Sequence, residues 1–372
     1  MKIPPFKLER FFATYESRAP YLLCTSDCES WSIQELLDFE PNSLKKFKDQ
    51  WLGYMETQGN PLLREEVTRL YQNITSDDVL IHVGAQEAIF IFMNVVLKKG
   101  DHVIVHWPCY QSLFEIANSL GCAITKWEGK EENGWELDIE FLNQNIRKNT
   151  KVIIINCPHN PTGYLMSKEK LLRIVDIARK HDIILFSDEV YRFLEYNGKD
   201  LLPGACDLYK NAVSVGVMSK TFGLAGLRIG WAATKNKDIY KKMASLKDYT
   251  SICASAPSEF LATLALRNKG KIIKRNLKII LNNIKILNEF FEKHKDLFHW
   301  QQPRAGPIAL PRLKVRQDAQ RFCVDLLEKK GVLLLPSNHY DFGKRHFRIG
   351  FGRKNMPECV EKLEEYLRES KR

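Results

Sequence analysis

The chain has 372 residues, of which 44% are hydrophobic and 27% are charged, a composition that excludes a disordered or fibrous protein. This length exceeds what one hydrophobic core usually serves, so we expect two domains that share an interface. The net charge of +11 is spread over helical patterns in which acidic residues interleave. This distribution favours a solvated basic face over a nucleic-acid partner.

The apolar segments and the cysteines limit the class of protein further. No apolar run approaches the roughly 18–20 residues that a membrane helix requires, and the N-terminal MKIPPFKLERFF carries charges where a secretory signal is apolar. The nine cysteines show no CxxC pairing, so neither a metal site nor a disulfide framework is indicated. We therefore expect a cytoplasmic protein with no membrane partner.

Short apolar runs alternate with helical patterns through the middle of the chain. Runs such as KVIIIN and IILFSD are apolar without alternation, which is typical of strands buried on both faces. The helices between them imply parallel strands in a three-layer α/β/α sandwich. In chain order the predicted elements are Val79–Val83, Ala85–Leu97, Asp101–Val105, Gln111–Ser119, Ala123–Trp127, Val152–Asn156, Lys168–Lys180, Ile183–Ser187, Ala212–Val217 and Arg228–Ala233.

The pattern changes from about Ser258, where it becomes long and helical, and it ends in the strand-like HFRIGF and an amphipathic helix. We expect the first 45 or so residues to pack with this C-terminal part. The predicted organisation is a large α/β domain over residues 46–257 and a smaller α+β domain formed by residues 1–45 and 258–372.

Loops that follow three of the predicted strands carry residues suited to ligand binding. Around Gly84, small residues before a helix allow backbone N–H groups to approach a phosphate, although a simple βα turn is the alternative. The turn Asn160-Pro161-Thr162-Gly163 follows KVIIIN, and Asp188 closes IILFSD. A buried carboxylate at a strand end is costly unless it pairs with a cation. Ligands of open α/β sheets bind at such strand ends.

The segment SKTFGLAGLRIGW, residues 219–231, combines a lysine in a loop of small residues with an arginine eight positions later. Lys220 is suited to hold an aldehyde cofactor covalently, and Arg228 offers a planar, bidentate fork to a phosphate. A surface lysine between turn residues is the alternative for Lys220 taken alone.

Taken together and in this order, the motifs resemble those of fold-type-I pyridoxal 5'-phosphate (PLP) enzymes, especially the class I and II aminotransferases. The resemblance covers nearly the whole chain and implies a mostly parallel seven-stranded sheet with PLP as the cofactor. The N-terminal region and LGYMETQGNPLLR also resemble a capreomycidine-synthase-like branch.

The resemblance implies how the phosphate of PLP is held. Backbone amides of Ala85 and Gln86 contact it, together with the Ser219 hydroxyl and the Arg228 guanidinium. Tyr54 corresponds to a tyrosine that reaches the phosphate across a dimer interface. The protein is therefore expected to be a homodimer whose active site is shared between subunits.

The resemblance also assigns the residues around the ring. Tyr110, in the pattern Pro-x-aromatic, lies on the pyridine face, and Asp188 pairs with the ring nitrogen. Asn160 and Tyr191 hydrogen-bond the phenolic oxygen and lower the pKa of the Schiff base. Lys220 forms this Schiff base and, once substrate displaces it, acts as general base and acid.

Substrate binding is implied at Arg348 in HFRIGF, which matches the arginine that grips the substrate α-carboxylate, with Asn160 beside it. A strand arginine in a salt bridge is the alternative. Val217 departs from the family, which commonly has serine or threonine there to touch the phosphate, so one phosphate hydrogen bond is missing unless Ser219 or water replaces it.

The loop CTSDCE, residues 24–29, stands where the family usually has a Gly-x-Pro-like substrate loop. Its acidic residues, Asp27 and Glu29, either face a basic substrate side chain or are exposed turn acids.

The predicted function is transfer of an amino group from an amino acid to a 2-oxo acid by a ping-pong mechanism. The alternative is β- or γ-elimination, replacement or cyclisation, which begins with the same loss of the Cα proton. A sensor built on this fold is disfavoured, because such regulators carry an N-terminal winged-helix extension and this chain starts almost directly with the small domain.

Overall fold

The computed structural model describes residues 2–369, so residues 1 and 370–372 of the predicted small domain lie outside it. In chain order the α-helices are α1 Lys7–Tyr15, α2 Ile33–Leu37, α3 Ser43–Lys48, α4 Pro61–Thr68, α5 Ala85–Val96, α6 Ser112–Ser119, α7 Ile139–Asn145, α8 Lys168–Lys180, α9 Ala205–Leu208, α10 Lys237–Lys247, α11 Ala256–Arg267, α12 Lys269–Lys293, α13 Ala319–Lys330 and α14 Met356–Glu369. No helix in this range is apolar over a length that could cross a membrane.

The β-strands are short, and seven of those in the described range form one sheet. In chain order they are β1 Tyr21–Leu22, β2 Val79–His82, β3 His102–Trp107, β4 Ala123–Glu128, β5 Thr150–Asn156, β6 Ile184–Asp188, β7 Ala212–Val217, β8 Gly230–Ala233, β9 Phe298–His299, β10 Ile308–Ala309, β11 Arg312–Leu313, β12 Val332–Leu333, β13 Leu335–Pro336 and β14 Phe347–Gly350.

The central sheet has the strand order β2-β8-β7-β6-β5-β3-β4. Strand β8 runs antiparallel to both of its neighbours, and the remaining pairs are parallel. The prediction of an α/β fold with a seven-stranded, mostly parallel sheet is confirmed. The register sets Asn156 beside Asp188 and Val217 beside Gly230, so the ends of four strands meet at one edge.

Helices cover both faces of this sheet, which gives three layers. On one face, Val105, Ile154 and Phe186 pack against α5, α6 and α10. On the other face, Ile153 and Leu185 pack against α7 and α8. Successive residues of a strand point to opposite faces of the sheet. Because both faces are covered by apolar helices, the strands show no alternation of apolar and polar residues.

The N-terminal segment packs with the C-terminal part of the chain. Strand β1 pairs in parallel with β12, and α1 buries Leu8 and Phe11 against Leu327 and Leu335. In contrast, α2 and α11 pack against the edge of the large sheet formed by β2 and β8. We propose that the small domain is built from the chain ends, with α2 and α11 attached to the large domain.

Candidate active site

A cavity of about 450 Å³ opens at the carboxyl ends of β5, β6 and β7. Its volume lies within the usual range for small-molecule sites, and its place is the one where α/β sheets bind ligands. Apart from Tyr54, every predicted site residue lines this cavity, namely Ala85, Gln86, Tyr110, Asn160, Asp188, Tyr191, Ser219, Lys220, Arg228 and Arg348.

One end of the cavity is suited to an anion. Helix α5 begins after Gly84, which has φ +81° and gives the helix no side-chain cap. A Cβ atom at Gly84 would lie 2.5 Å from Nη2 of Arg228, so only glycine lets this guanidinium approach. Arg228 donates to the Ser219 hydroxyl at 3.2 Å. The uncapped N–H groups of α5, the helix dipole and Arg228 together form a phosphate cradle.

The cavity also contains a buried acid. Asp188 is 5% exposed, and its Oδ1 accepts one hydrogen bond, from the Val190 backbone at 3.2 Å. Burial raises the pKa of Asp188 to about 7, although Val190 and the charge of Lys220 counteract this. The next acid, Glu189, points away and accepts bonds from Ala205 and Ser214. Of these two consecutive acids, Asp188 is therefore the one available to a cationic ligand in the cavity.

Two further polar side chains, Tyr191 and Asn160, line the cavity. The Tyr191 hydroxyl is buried, and among residues 2–369 it has no well-formed hydrogen bond. Asn160 donates its backbone N–H to Asn156 at 2.7 Å, and its Oδ1 accepts from the Tyr340 hydroxyl at 3.1 Å. Burial raises the pKa of Tyr191, and the Ser26 side chain is near enough to oppose this, but the buried hydroxyl still lacks a close partner, which costs free energy, so Tyr191 is suited to a ligand that brings an acceptor.

Lys220 projects into the same space and donates to the Ser26 hydroxyl at 2.9 Å. Burial lowers the pKa of Lys220, and the positive charge of Arg348 adds to this, while Asp27 and other acids oppose it. A lysine whose ammonium form is disfavoured yields the free amine more readily near neutral pH, which is the form that reacts with a carbonyl.

Arg348 is almost completely buried, at 2% exposure, within strand β14. Its Nε and Nη2 donate to the Cys24 carbonyl at 3.0 and 2.7 Å, and its Nη1 donates to Tyr340 and to Asn160 Oδ1. The loop of residues 24–29 lies directly on this strand end, since a Cβ atom at Gly350 would overlap the Thr25 carbonyl.

The two departures from the family pattern have structural consequences. Val217 lines the cavity with an apolar side chain, whereas Ser219 offers its hydroxyl beside Arg228. Asp27 lines the cavity and forms a bidentate ion pair with Arg353 at 3.1 and 2.8 Å. Glu29 instead caps the Lys354 backbone N–H at 2.8 Å.

Tyr54 is the predicted site residue that a single chain does not bring to the cavity. It is 83% exposed and lies beside a separate depression of about 350 Å³ with Leu52 and the segment of residues 253–257. Its role across a subunit interface stays a prediction.

Sequence reasoning missed several residues of the site. Ser26 and Tyr340 bond to Lys220 and Asn160 over more than 150 positions of chain, and no local motif marks such contacts. Helix α1 also forms a wall of the cavity, through Leu8, Glu9 and Phe12. The helical spacing of its apolar residues could have predicted a packed helix, but not what that helix packs against.

The residues present fit PLP. The α5 cradle with Arg228 suits a phosphate, the buried carboxyl of Asp188 suits a protonated ring nitrogen, and the buried Tyr191 hydroxyl suits a phenolic oxygen. Lys220 supplies the amine that an aldehyde requires.

Comparison with known proteins also supports a PLP-dependent enzyme. The family model "Aminotransferase class I and II" matches residues 26–363. Capreomycidine synthase from Streptomyces vinaceus is 25% identical over 94% of this chain and 90% of its own length. Aspartate aminotransferase from Sulfurisphaera tokodaii is 26% identical over 87% of this chain and 84% of its own length.

Two solved structures share the whole fold. A PLP-dependent aminotransferase from Streptococcus suis superposes with a TM-score of 0.93 at 33% identity, covering 99% of both chains. The PLP-dependent cyclase OrfR superposes with a TM-score of 0.91 at 27% identity, covering 100% of this chain and 98% of its own. Fold and site thus define a PLP-dependent enzyme. Within that class, the chain belongs to the family of class I and II aminotransferases.

Replacing Asp188 by asparagine should stabilise the cofactor-free protein above pH 4 while weakening PLP binding. Because the folded-state pKa of Asp188 is raised to about 7, ionisation in the unfolded chain costs the wild type stability as pH rises from about 4 to 7. The stability gap between variant and wild type should widen by about 1.4 kcal/mol per pH unit in this interval. Urea denaturation of both apoproteins at pH 5.5 and 7 measures it. A stability gap that stays constant between these pH values would contradict the raised pKa of Asp188.

Proposed function

We propose that the protein transfers an amino group from an amino acid to a 2-oxo acid by a ping-pong mechanism. The observation that carries this proposal is the placement of Lys220 in one cavity with Arg348 and Asp188. An arginine for the carboxylate, an amine for proton transfer and an acid for the ring nitrogen are the groups this reaction needs.

The bound cofactor supplies an aldehyde and an electron-withdrawing ring. Arg348 then binds the substrate α-carboxylate, for which its planar guanidinium is suited. This binding would set the Cα–H bond toward Lys220, whose amine would take the Cα proton and deliver it to the former aldehyde carbon of the cofactor. Ser26 holds Nζ of Lys220 within the cavity, at 2.9 Å from its hydroxyl.

Asp188 and Tyr191 would set the charge distribution on the ring of the bound cofactor. The buried carboxylate keeps a positive charge on the ring nitrogen, because separating this pair at low dielectric is costly. Tyr191 would donate to the phenolic oxygen of the bound cofactor, and Asn160 accepts from Nη1 of Arg348 at 3.3 Å through its Oδ1. The apolar side chain of Val217 limits water beside the lysine loop.

A second candidate is cyclisation or elimination on the same cofactor. It is favoured by the likeness to the PLP-dependent cyclase OrfR over the whole chain. Both reactions use Lys220 to remove the Cα proton, so they differ in the fate of the amino group. In transfer the group stays on the enzyme, whereas in elimination or cyclisation it leaves as ammonia or remains in the product.

Incubating holoenzyme with an amino acid and no acceptor should separate these reactions. Transfer predicts that about one equivalent of 2-oxo acid forms per active site and that catalysis resumes only when a second oxo acid is added. The Lys220→Ala variant is the control and should form none. Continued turnover without an acceptor, with ammonia or a cyclised product, would contradict transfer and support the second candidate.

We propose further that the enzyme works as a homodimer. An exposed apolar surface supports this, because large patches of this kind mark interaction sites. Trp51, Leu52 and Tyr54 are exposed, as are Tyr249 and Ile252 after α10. Leu52 and Tyr54 share a depression with residues 253–257, which directly follow Ile252. A second copy seated on this surface would cover these side chains and bring Tyr54 toward the partner's phosphate cradle.

Substituting Tyr249 by aspartate should convert the dimer into a monomer with weakened PLP binding, because an unpaired charge is then buried in the interface. Leu281→Asp, on the exposed face of α12, is the matched control and should stay dimeric. Sedimentation velocity measures the mass of each variant. A wild-type protein with the mass of one chain would contradict the proposal.

A further inference from the structure

The segment of residues 248–253, which follows α10, holds a strained backbone. Ile252 has φ +62°, in the left-handed region that β-branched residues rarely adopt and that costs free energy. Lys247 binds Ile252 at two points. The Lys247 carbonyl accepts from the Ile252 N–H at 3.1 Å, and the ammonium donates to the Ile252 carbonyl at 2.6 Å. Strain of this kind persists only where surrounding contacts fix the backbone, so Lys247 sets the shape of this segment.

The Lys247 ammonium also joins two separate parts of the chain. The side chain is buried, at 1% exposure, and its Nζ donates to the Thr57 carbonyl at 2.6 Å. Thr57 lies three residues after Tyr54, in the segment that leads into α4. Burial lowers the pKa of Lys247, and among the acids that oppose this Glu87 has the largest effect. The cation therefore holds the segments around Thr57 and Ile252 together, and the charge of Glu87 stabilises it there.

Glu87 connects this segment to the start of α5. Its Oε1 accepts from the Thr250 hydroxyl at 2.6 Å, and its Oε2 accepts from the Val83 backbone N–H at 2.6 Å. Burial raises the pKa of this carboxyl, but neighbouring donors, His82 first among them, outweigh burial and lower the pKa to about 2. The carboxylate is therefore charged at neutral pH, which strengthens both hydrogen bonds.

The hydrogen bond between Val83 and Glu87 fixes the turn that precedes the phosphate cradle. Val83 comes directly before Gly84, after which α5 begins without a side-chain cap. Because the Glu87 carboxylate holds the Val83 N–H, the turn is fixed and the N–H groups of Ala85 and Gln86, which line the cavity, remain for a phosphate. The direction in which these N–H groups point thus depends on a side chain behind the cradle.

We propose that Lys247, Thr250 and Glu87 are positioning residues for the phosphate of the cofactor. Lys247 sets the segment of residues 248–253, this segment places the Thr250 hydroxyl, and the hydroxyl orients the carboxylate that holds the Val83 turn. None of the three side chains lines the cavity, so they act on a ligand only through the cradle. The inference rests on the assignment of the phosphate to this cradle, and it does not depend on which reaction the holoenzyme catalyses.

Thr250→Val tests this series of contacts, because valine keeps the shape of threonine and removes the hydroxyl. The probes for calorimetric titration of the full-length apoprotein are 4'-deoxypyridoxine 5'-phosphate, which has no aldehyde to react with Lys220, and 4'-deoxypyridoxine, which also lacks the phosphate. The variant should bind the phosphorylated compound about fivefold more weakly than the wild type, because one charge-assisted hydrogen bond behind the cradle is lost. Its affinity for the unphosphorylated compound should change by less than about twofold. Thr250→Ser keeps the hydroxyl and should bind both compounds like the wild type.

Lys247→Met is a second variant, because methionine fills the buried space without the ammonium. It should show the same loss for the phosphorylated compound alone, by about tenfold or more. Lys242→Met, at an exposed position of the same helix, is the matched control and should bind both compounds like the wild type. In hydrogen exchange, the phosphorylated compound should slow exchange in the peptide that contains residues 248–253 of the wild type, and it should not do so in Thr250→Val.

Unchanged affinity of Thr250→Val for the phosphorylated compound, or an equal loss for both compounds, would overturn the inference. Equal binding of the two compounds by the wild type would overturn the phosphate cradle and the inference together. Absence of amino-group transfer with the phosphate-specific loss retained would instead contradict the proposed function alone.

Discussion

The buried carboxyl group of Asp188 is the constraint on which the site depends. It ends a strand at the centre of the sheet, where the surrounding layers leave little water to solvate a charge. Among residues 2–369 it accepts one backbone hydrogen bond and forms no ion pair, and the charge of Lys220 lowers its pKa by less than burial raises it. Such a carboxyl is stable either as the neutral acid or beside a cationic ligand, and the cavity next to it provides the space for that ligand.

Other features follow from this position. The parallel register of β5 and β6 places Asn156 beside Asp188, and Asn156 holds the Asn160 turn through its side-chain oxygen. The antiparallel strand β8 returns the chain from the lysine loop, so Arg228 meets the start of α5. Both ends of the chain then close the cavity, because the Cys24 carbonyl binds Arg348 across 324 positions of sequence.

Much of this arrangement could be predicted from the sequence, because each part has a local cause. The buried strands and α5 are observed within one or two residues of their predicted bounds. Lys220, Arg228, Asp188 and Asn160 were found by motifs that follow strand ends, and parallel strands bring such ends together. The domain division and the roles of the individual residues stay proposals.

The residues that were missed depend on long-range packing. Ser26, Tyr340 and the inner face of α1 reach the cavity because separate segments dock on one another, and hydrophobic patterning does not specify which partner a helix meets. Tyr54 poses a different problem, since its expected contact is to a second chain.

The central claim is that Lys220 is the residue that holds the cofactor. Reducing the PLP-loaded protein with sodium borohydride, followed by proteolysis and peptide mass spectrometry, tests it directly. The predicted result is a single pyridoxyl adduct on the peptide that contains Lys220, because this amine faces Asp188 and the phosphate cradle in one cavity. An adduct on another lysine, or none on a protein saturated with PLP, would contradict it.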